Sequence, residues 1–478
     1  MNDNRPLALD IDGTFLKTDM LFECFWAGLS RAPWKTLKVA VRHMGDPAKL
    51  KHELAGLANL RTDLLPVNQP VAALAEQAKA QGREVVLASA SDQELVKRLA
   101  SENGLSARVI ASDGVTNMKG SKKADALVDA FGKGGFDYAG DSRADRKIWP
   151  SANRAIIVGQ VPGAKEELTH AGHDIFDIPN RWRKRDLLRA LRPHQWVKNV
   201  LLFLPMLAAH DFSLSTIFLV AMGVMSFSAA ASCIYIVNDL LDLEADRLHA
   251  TKHRRPFASG AVPISVGMAT CAVIGLTALG ISIYLGWVFA TVIVTYMVLS
   301  LAYSLRLKRM RWIDIATLAG LYTIRVLAGA AASGVFISGF MLVFIFPVFI
   351  SLGCVKRMTE VALAENDERL PGRGYGKPDR SDLLNVAALG VLGALGAFFL
   401  YTLTEQAREL YPTLWLLWVA MVPMGMWMIR MVRLGYLGRQ DYDPIVFALT
   451  DKRGLGLLMF TLAFVFFAAG IWKEWFGL

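Results

Sequence analysis

Cysteine is scarce in this chain and charge is thin. The 478 residues include four cysteines, Cys24, Cys233, Cys271 and Cys354, and no two form a C-x-x-C pair. That spacing excludes a thiolate zinc site and a dithiol redox motif, and the cysteines read as buried free thiols. Charged residues make up 20% of the chain against 54% hydrophobic. This is too apolar for an ordinary soluble protein of such length. The first residues, Met1 to Pro6, are polar and run straight into a strand-like segment, so no signal peptide is read there. The formal net charge is +10. Many of the lysines and arginines lie in short loops between apolar runs, so membrane orientation accounts for them and nucleic-acid binding is not expected.

The apolar residues are concentrated in one part of the chain. Residues 1–190 read as a soluble protein, and from Trp196 onward long apolar runs alternate with short charged loops. Runs of ~20 apolar residues are long enough to cross a bilayer. The sequence predicts nine spans, near 196–209, 213–237, 262–283, 285–305, 312–333, 335–355, 383–403, 413–432 and 455–472. Their loops alternate between a basic kind (Arg247 to Arg255, Arg306 to Arg311, Lys356 to Arg380, Arg430 to Arg453) and a nearly bare kind. The positive-inside rule then puts the basic loops and the N-terminal domain in the cytoplasm, and the spans in a bacterial plasma membrane. The expected division is 1–180 for an α/β domain, 181–195 for a basic linker and 196–478 for an all-α membrane bundle.

After the second span stands Asn238-Asp239-Leu240-Leu241-Asp242-Leu243-Glu244-Ala245-Asp246. At helical spacing Asp239, Asp242 and Asp246 share one face, where like charges repel. Oxygen-only ligands favour Mg²⁺, which commonly bridges to phosphate. Lys252, His253, Arg254 and Arg255 follow, so the segment reads as a diphosphate site; the bland alternative is a solvated charged loop. Lys356, Arg357 and Glu360 lie after the sixth span, where cations are often only snorkelling anchors. The loop Glu365–Arg380, with Gly372, Gly374 and Gly376, reads as a flap or a linker.

The acid motif resembles the first Asp-rich motif of the UbiA prenyltransferase superfamily, intramembrane enzymes of nine helices that use Mg²⁺ with a diphosphate substrate. Leu191-Arg192-Pro193-His194-Gln195-Trp196-Val197-Lys198-Asn199, Tyr303-Ser304-Leu305, Ile313-Asp314 with Ile324-Arg325, and Lys356-Arg357-x-x-Glu360 resemble its branch that makes decaprenylphosphoryl-phosphoribose. The resemblance covers residues 190–478. It implies a transfer of 5-phosphoribose from phosphoribosyl diphosphate to a polyprenyl phosphate. Asp239, Asp242 and Asp246 would hold Mg²⁺, and Asn238, Lys198, Arg255, Tyr303, Lys356 and Arg357 would bind substrate phosphates. Aromatic prenyltransferases carry a second Asp-rich motif where this chain has Lys356, Arg357 and Glu360, which weighs against that alternative. A transporter is set aside because no internal repeat is visible and the likely ligands gather at one membrane face.

The N-terminal part begins with a short strand that runs into Asp10-Ile11-Asp12-Gly13-Thr14. Glu84–Ser89 and Phe136–Ala139 read as two more strands, the first ending in a hydroxyl and the second running into Asp141 and Asp145. Strands alternating with helices suggest an open parallel sheet with its site at the carboxyl edge. Paired carboxylates there suit attack on phosphorus, one as nucleophile and one handling the proton. The order resembles the haloacid-dehalogenase-like hydrolases over residues 6–160. It implies Asp10 as nucleophile, Asp12 as acid/base, Ser89 and a lysine as phosphoryl ligands, and Asp10, Asp12, Asp141 and Asp145 around Mg²⁺. The Lys-Ala-Asp-Ala-Leu run favours Lys123 over Lys119 and Lys122. Residues 17–75 read as a helical cap, with Trp26 and Trp34 in its core. Removal of the 5-phosphate from the phosphoribosyl lipid would explain the fusion; the rival is an unrelated or non-catalytic hydrolase domain.

Overall fold

A computed structural model describes residues 4–105, 107–364, 374–440 and 443–477. Most of the loop predicted as a flap, Glu365–Arg373, lies outside the described residues. The chain divides into two compact units, Met1–Leu191 with Tyr235–Ala272, and Arg192–Ile234 with Val273–Leu478.

The first unit is built on six parallel strands, β1 (Leu7–Leu9), β2 (Val85–Asp92), β3 (Arg108–Ser112), β4 (Asp137–Gly140), β5 (Arg154–Val158) and β6 (Asp174–Ile178), in the order β3-β2-β1-β4-β5-β6. Every residue of β1 is buried, as the centre of a parallel sheet covered on both faces requires. The chain leaves β1 for β2 on one side and reaches β4 on the other. The crevice beyond the carboxyl end of β1 is therefore a topological switch point, where open α/β sheets hold their ligands.

Between β1 and β2 comes the predicted cap: α1 (Met20–Arg31), α2 (Pro33–Arg42) and α3 (Pro47–Ala58). Local chemistry sets its boundaries. Asp19 caps α1 by accepting from the amides of Leu21 and Phe22, Pro33 opens α2, and Asp46 caps α3 just before Pro47. Trp26 is buried in this cap as expected. Trp34 is not: it is 83% exposed, because its helix turns Thr36 and not Trp34 toward α1.

Residues 235–272 pack into the same unit. The buried Glu23 carboxylate of α1 accepts from both terminal nitrogens of Arg247, at 2.6 and 3.1 Å, and from the Thr18 hydroxyl. Arg31 reaches Glu244 at 2.5 Å.

Among the described residues, seven helices are long and apolar enough to cross a membrane: Leu214–Leu241, Ile264–Leu285, Trp287–Leu305, Ile313–Ser333, Gly339–Ala362, Lys377–Thr402 and Trp415–Tyr436. Among the described residues the expected first and last spans do not form helices of that length. Residues 193–203 wind as a 3₁₀ helix and only Leu204–Ala208 is α-helical, with prolines at 193 and 205 withholding backbone donors. The helix at the expected last span, Lys452–Ala468, stops after 17 residues, just before Gly470 turns left-handed at φ 75° and a short helix, Ile471–Phe476, follows. The chain is a multi-pass membrane protein. Small residues let its helices close up: a Cβ on Gly390 would stand 2.8 Å from the Pro347 carbonyl oxygen of the neighbouring helix.

Removing one partner of a buried ion pair costs about 3–5 kcal/mol. Glu23→Ala, which strands Arg247, is expected to lower the thermal midpoint of the first unit accordingly. Glu23→Met with Arg247→Met should recover most of the loss. An unchanged midpoint in the single variant would contradict the pair's role.

Candidate functional site

The crevice at the end of β1 gathers the predicted acids. Asp10 follows β1 directly and Asp141 follows β4, while Asp145 returns on a short turn capped by Ser142. Asp10, Asp141 and Asp145 each present an oxygen within 4.8 Å of the others. Lys123 is the buried lysine of the site. It donates to Asp10 at 2.9 Å and to the Tyr138 hydroxyl at 3.1 Å, whereas Lys119 and Lys122 are exposed. Tyr138 in turn donates to Asp145 at 2.7 Å.

Asp12, expected with the metal ligands, turns elsewhere. One of its oxygens accepts from the Met20 amide at 2.8 Å and the other from the Ser91 hydroxyl at 2.6 Å. Ser89 is buried and its oxygen accepts from the Ser91 amide. Sequence reasoning missed Ser91, two residues along the same strand face, and Lys51, which α3 extends to the Ala90 carbonyl at 2.6 Å. The alternation of β2 contained the first signal; nothing in the spacing announced Lys51.

Burial sets the electrostatics of this crevice. It raises Asp10 to about 7, helped by Asp145 and Asp12 and opposed by Lys123, and it raises Asp12 to about 6 with Asp19 adding to it. Asp141 is pushed well up by burial and by Asp10 and Asp145. An all-oxygen set of mutually repelling carboxylates suits a divalent cation such as Mg²⁺. Gly13 makes room for it: at φ 77° it occupies a conformation few side chains adopt, and a Cβ there would stand 2.0 Å from an Asp141 oxygen.

The second acid group lies at the end of the helix Leu214–Leu241. Arg255 donates through one nitrogen to Asp239 at 3.1 Å and to Asp246 at 2.7 Å, and both acids are buried. Asp242 sits at the start of the short helix Leu243–Leu248. The buried Asn238 Oδ1 has no hydrogen-bond partner among the described residues, which leaves an oxygen acceptor beside the acids. Burial raises Asp246, with Arg255 opposing. The residue types therefore fit an oxygen-ligated cation, although Arg255 now takes the place between Asp239 and Asp246.

In the second unit the predicted cations separate into two arrangements. Arg357 is fully buried. It donates to Asp314 at 2.5 and 3.1 Å and to the Tyr303 hydroxyl at 2.9 Å, and it pairs with Glu360. Tyr303 donates to Asp314 at 2.9 Å. Arg357 and Tyr303, expected to bind phosphate, are thus engaged by acids and by each other inside the helix bundle. Lys198 and Lys356 instead converge on Asp443, at 2.5 and 3.6 Å, with Tyr322 donating to it at 3.2 Å. Burial pushes Asp443 up, but Lys198 and Lys356 outweigh it and hold the carboxyl well below its usual range. Asp443 escaped the sequence reading because it lies 245 residues beyond Lys198 in a loop without a recognisable spacing.

A carboxyl with a raised folded-state pKa stabilises the fold at low pH and loses that contribution as pH rises through the folded value. For Asp10 and Asp12 the loss runs from about pH 4 to about pH 7. Mg²⁺ is expected to raise the thermal midpoint of the first unit strongly at pH 8 and little at pH 5. Equal shifts at both pH values, or none at pH 8, would count against a cation at this crevice. Asp141→Asn should blunt the shift.

Comparison with known proteins gives the membrane part a family. Residues 200–368 match the model of the UbiA prenyltransferase family. An uncharacterized protein of Sinorhizobium fredii is 33% identical over 457 residues, covering 94% of this chain and 88% of that protein. The decaprenyl-phosphate phosphoribosyltransferase of Corynebacterium glutamicum is 43% identical over 188 residues, 37% of this chain, which spans little more than half (55%) of that relative. A solved HAD-family hydrolase of Salmonella enterica aligns over 34% of this chain and 65% of its own, at 15% identity and a TM-score of 0.27. Through its membrane part, the chain belongs to the UbiA prenyltransferase family.

Proposed function

We propose that the membrane part transfers 5-phosphoribose from phosphoribosyl diphosphate to a polyprenyl phosphate on the cytoplasmic side of the plasma membrane. The convergence of Lys198 and Lys356 on the single carboxylate Asp443 carries this reading. Among the described residues two lysines face one carboxylate, and lysine ammonium groups suit the oxygens of a phosphate. The phosphoribosyltransferases among the relatives support the same donor. The basic loops support the orientation.

A polyprenyl phosphate is already an anion at neutral pH, so its oxygen needs no strong base. That oxygen attacks the anomeric carbon, the bond to diphosphate breaks, and the centre inverts. Mg²⁺ held by Asp239, Asp242 and Asp246 would neutralise charge on the departing diphosphate. Arg255 keeps Asp239 and Asp246 together and binds a phosphate oxygen, and Asn238 offers its free acceptor. Lys198 and Lys356 exchange Asp443 for a substrate phosphate. Arg357 and Tyr303 hold the helices that carry Lys356 and Asp314.

We further infer that the sheet domain removes the 5-phosphate from the phosphoribosyl lipid. Asp10 attacks phosphorus and takes the phosphoryl group, Asp12 protonates the leaving ribose oxygen, water then cleaves the phosphoryl group from Asp10 to release phosphate, and Ser89 and Lys123 hold phosphoryl oxygens. Asp10, Asp141 and Asp145 would hold Mg²⁺ there, with Asp12 close by. A cavity of about 420 Å³ in front of Asp12 and Asp141 supports a membrane-borne substrate, because Gly260, Ala261 and Pro263–Val266 form one wall. Those residues lead into the membrane helix Ile264–Leu285.

Purified protein given phosphoribosyl diphosphate and polyprenyl phosphate is expected to release diphosphate, and Asp239→Ala to abolish that release. Wild type that releases none, yet prenylates an aromatic acid, would overturn the transfer reading. With the 5-phosphoribosyl lipid as substrate, Asp12→Asn is expected to slow phosphate release by about 10²–10⁴-fold. Asp10→Asn should stop it while leaving diphosphate release intact. Equal background release from wild type and Asp10→Asn would remove the phosphatase.

A further inference from the structure

The exposed face of α2 has no assigned role. Trp34, Leu37, Val41 and Met44 are 83, 41, 71 and 74% exposed. They are spaced three, four and three residues apart and so form one stripe along the helix and its exit. The opposite face is occupied: Thr36 is buried against Gly28 of α1, and Val39 packs on the core of the domain. The stripe therefore has no interior to turn toward. Large apolar side chains in an exposed line, with a tryptophan more than four-fifths exposed, mark a surface that meets something else.

We propose that α2 lies flat on the lipid surface of the membrane that the chain itself crosses. Charge selects this occupant. Residues 24–45 contain no aspartate or glutamate, but they contain Arg31, Lys35, Lys38 and Arg42. Lys35, Lys38 and Arg42 are exposed and run alongside the apolar stripe. An apolar face edged by cations, with a tryptophan at its head, is the pattern of an interfacial helix on anionic headgroups.

Position points the same way. The helix before it, α1, is tied to the segment where the chain leaves the bilayer: Glu23 holds Arg247, Arg31 holds Glu244, and Ala27 and Ser30 line a small cavity with Leu240 and Leu241. Leu241 is the last residue of a membrane-crossing helix. The stripe thus follows, one short turn later, an element already held at the membrane boundary. The inference stands whatever reaction the sheet domain performs.

Full-length protein in phosphatidylcholine nanodiscs, with and without phosphatidylglycerol, tests it. An environment-sensitive fluorophore is placed at Val41→Cys, with Glu76→Cys on a water-facing helix as control and the half-exposed Cys271 replaced by serine. The Val41 label should emit to the blue. It should be quenched severalfold more by a doxyl lipid than by iodide, and that bias should grow with phosphatidylglycerol and shrink in high salt. The control label should show the reverse preference. Trp34→Ser in the same background should weaken the lipid quenching without moving the thermal midpoint. Iodide reaching both labels equally in every lipid would overturn the proposal. Shielding of Val41 that follows protein concentration and ignores lipid composition would also overturn it, in favour of contact with a second copy.

Discussion

A carboxylate taken out of water costs several kcal/mol unless a counter-charge and hydrogen bonds meet it. Among the described residues, acids gather around a basic side chain in three places, and in a fourth a buried acid lies between two lysines. Asp10 and Asp145 meet at Lys123, Asp239 and Asp246 at Arg255, Asp314 and Glu360 at Arg357, and Asp443 lies between Lys198 and Lys356. The balance differs within these groups. Among the described residues, two acids meet one cation in the first three, and two lysines meet one acid in the last. Carboxylate oxygens suit metal ions and ammonium groups suit phosphate, so the two kinds of group differ in the ligand chemistry they offer.

Arg357 shows that gathered charge alone does not make a site. Two acids meet it, but its guanidinium is fully buried, and its hydrogen bonds fix three segments of chain to one another. Planar and always charged, a guanidinium is suited to such multiple fixed bonds. Lysine, with a compact charge on a flexible stem, changes partners more easily. The contrast between adjacent Lys356 and Arg357 therefore separates a residue that can take a ligand from one that holds the bundle.

Much of the site was legible in the sequence because it is local. Asp10, Asp12 and Gly13 share one turn, Lys123 stands in a helical run, and Asp239 to Asp246 are spaced along one segment. The sheet followed from strands ending in polar residues. What escaped depends on distant chain. Asp443 reaches Lys198 through tertiary folding alone, and Arg357 looked like a ligand because its acids lie 43 residues upstream and one turn downstream. Hydropathy pointed to nine spans where seven helices among the described residues are long enough, since apolar content does not register the backbone cost of Pro193, Pro205 or a left-handed Gly470. Trp34 was misplaced for a related reason: a tryptophan in a helix reads as core until the direction of the neighbouring face is known.

The first unit is made from two stretches of chain, with Tyr235–Ala272 returning to residues 1–191 after an excursion through a membrane helix. A cut after Leu191 would not free a complete domain. It would leave Glu23 without Arg247 and the acid crevice without the wall formed by Gly260 to Val266. The sheet domain is thus not a bead on a tether that could be shed or exchanged as a block; part of its own surface is encoded within the membrane part.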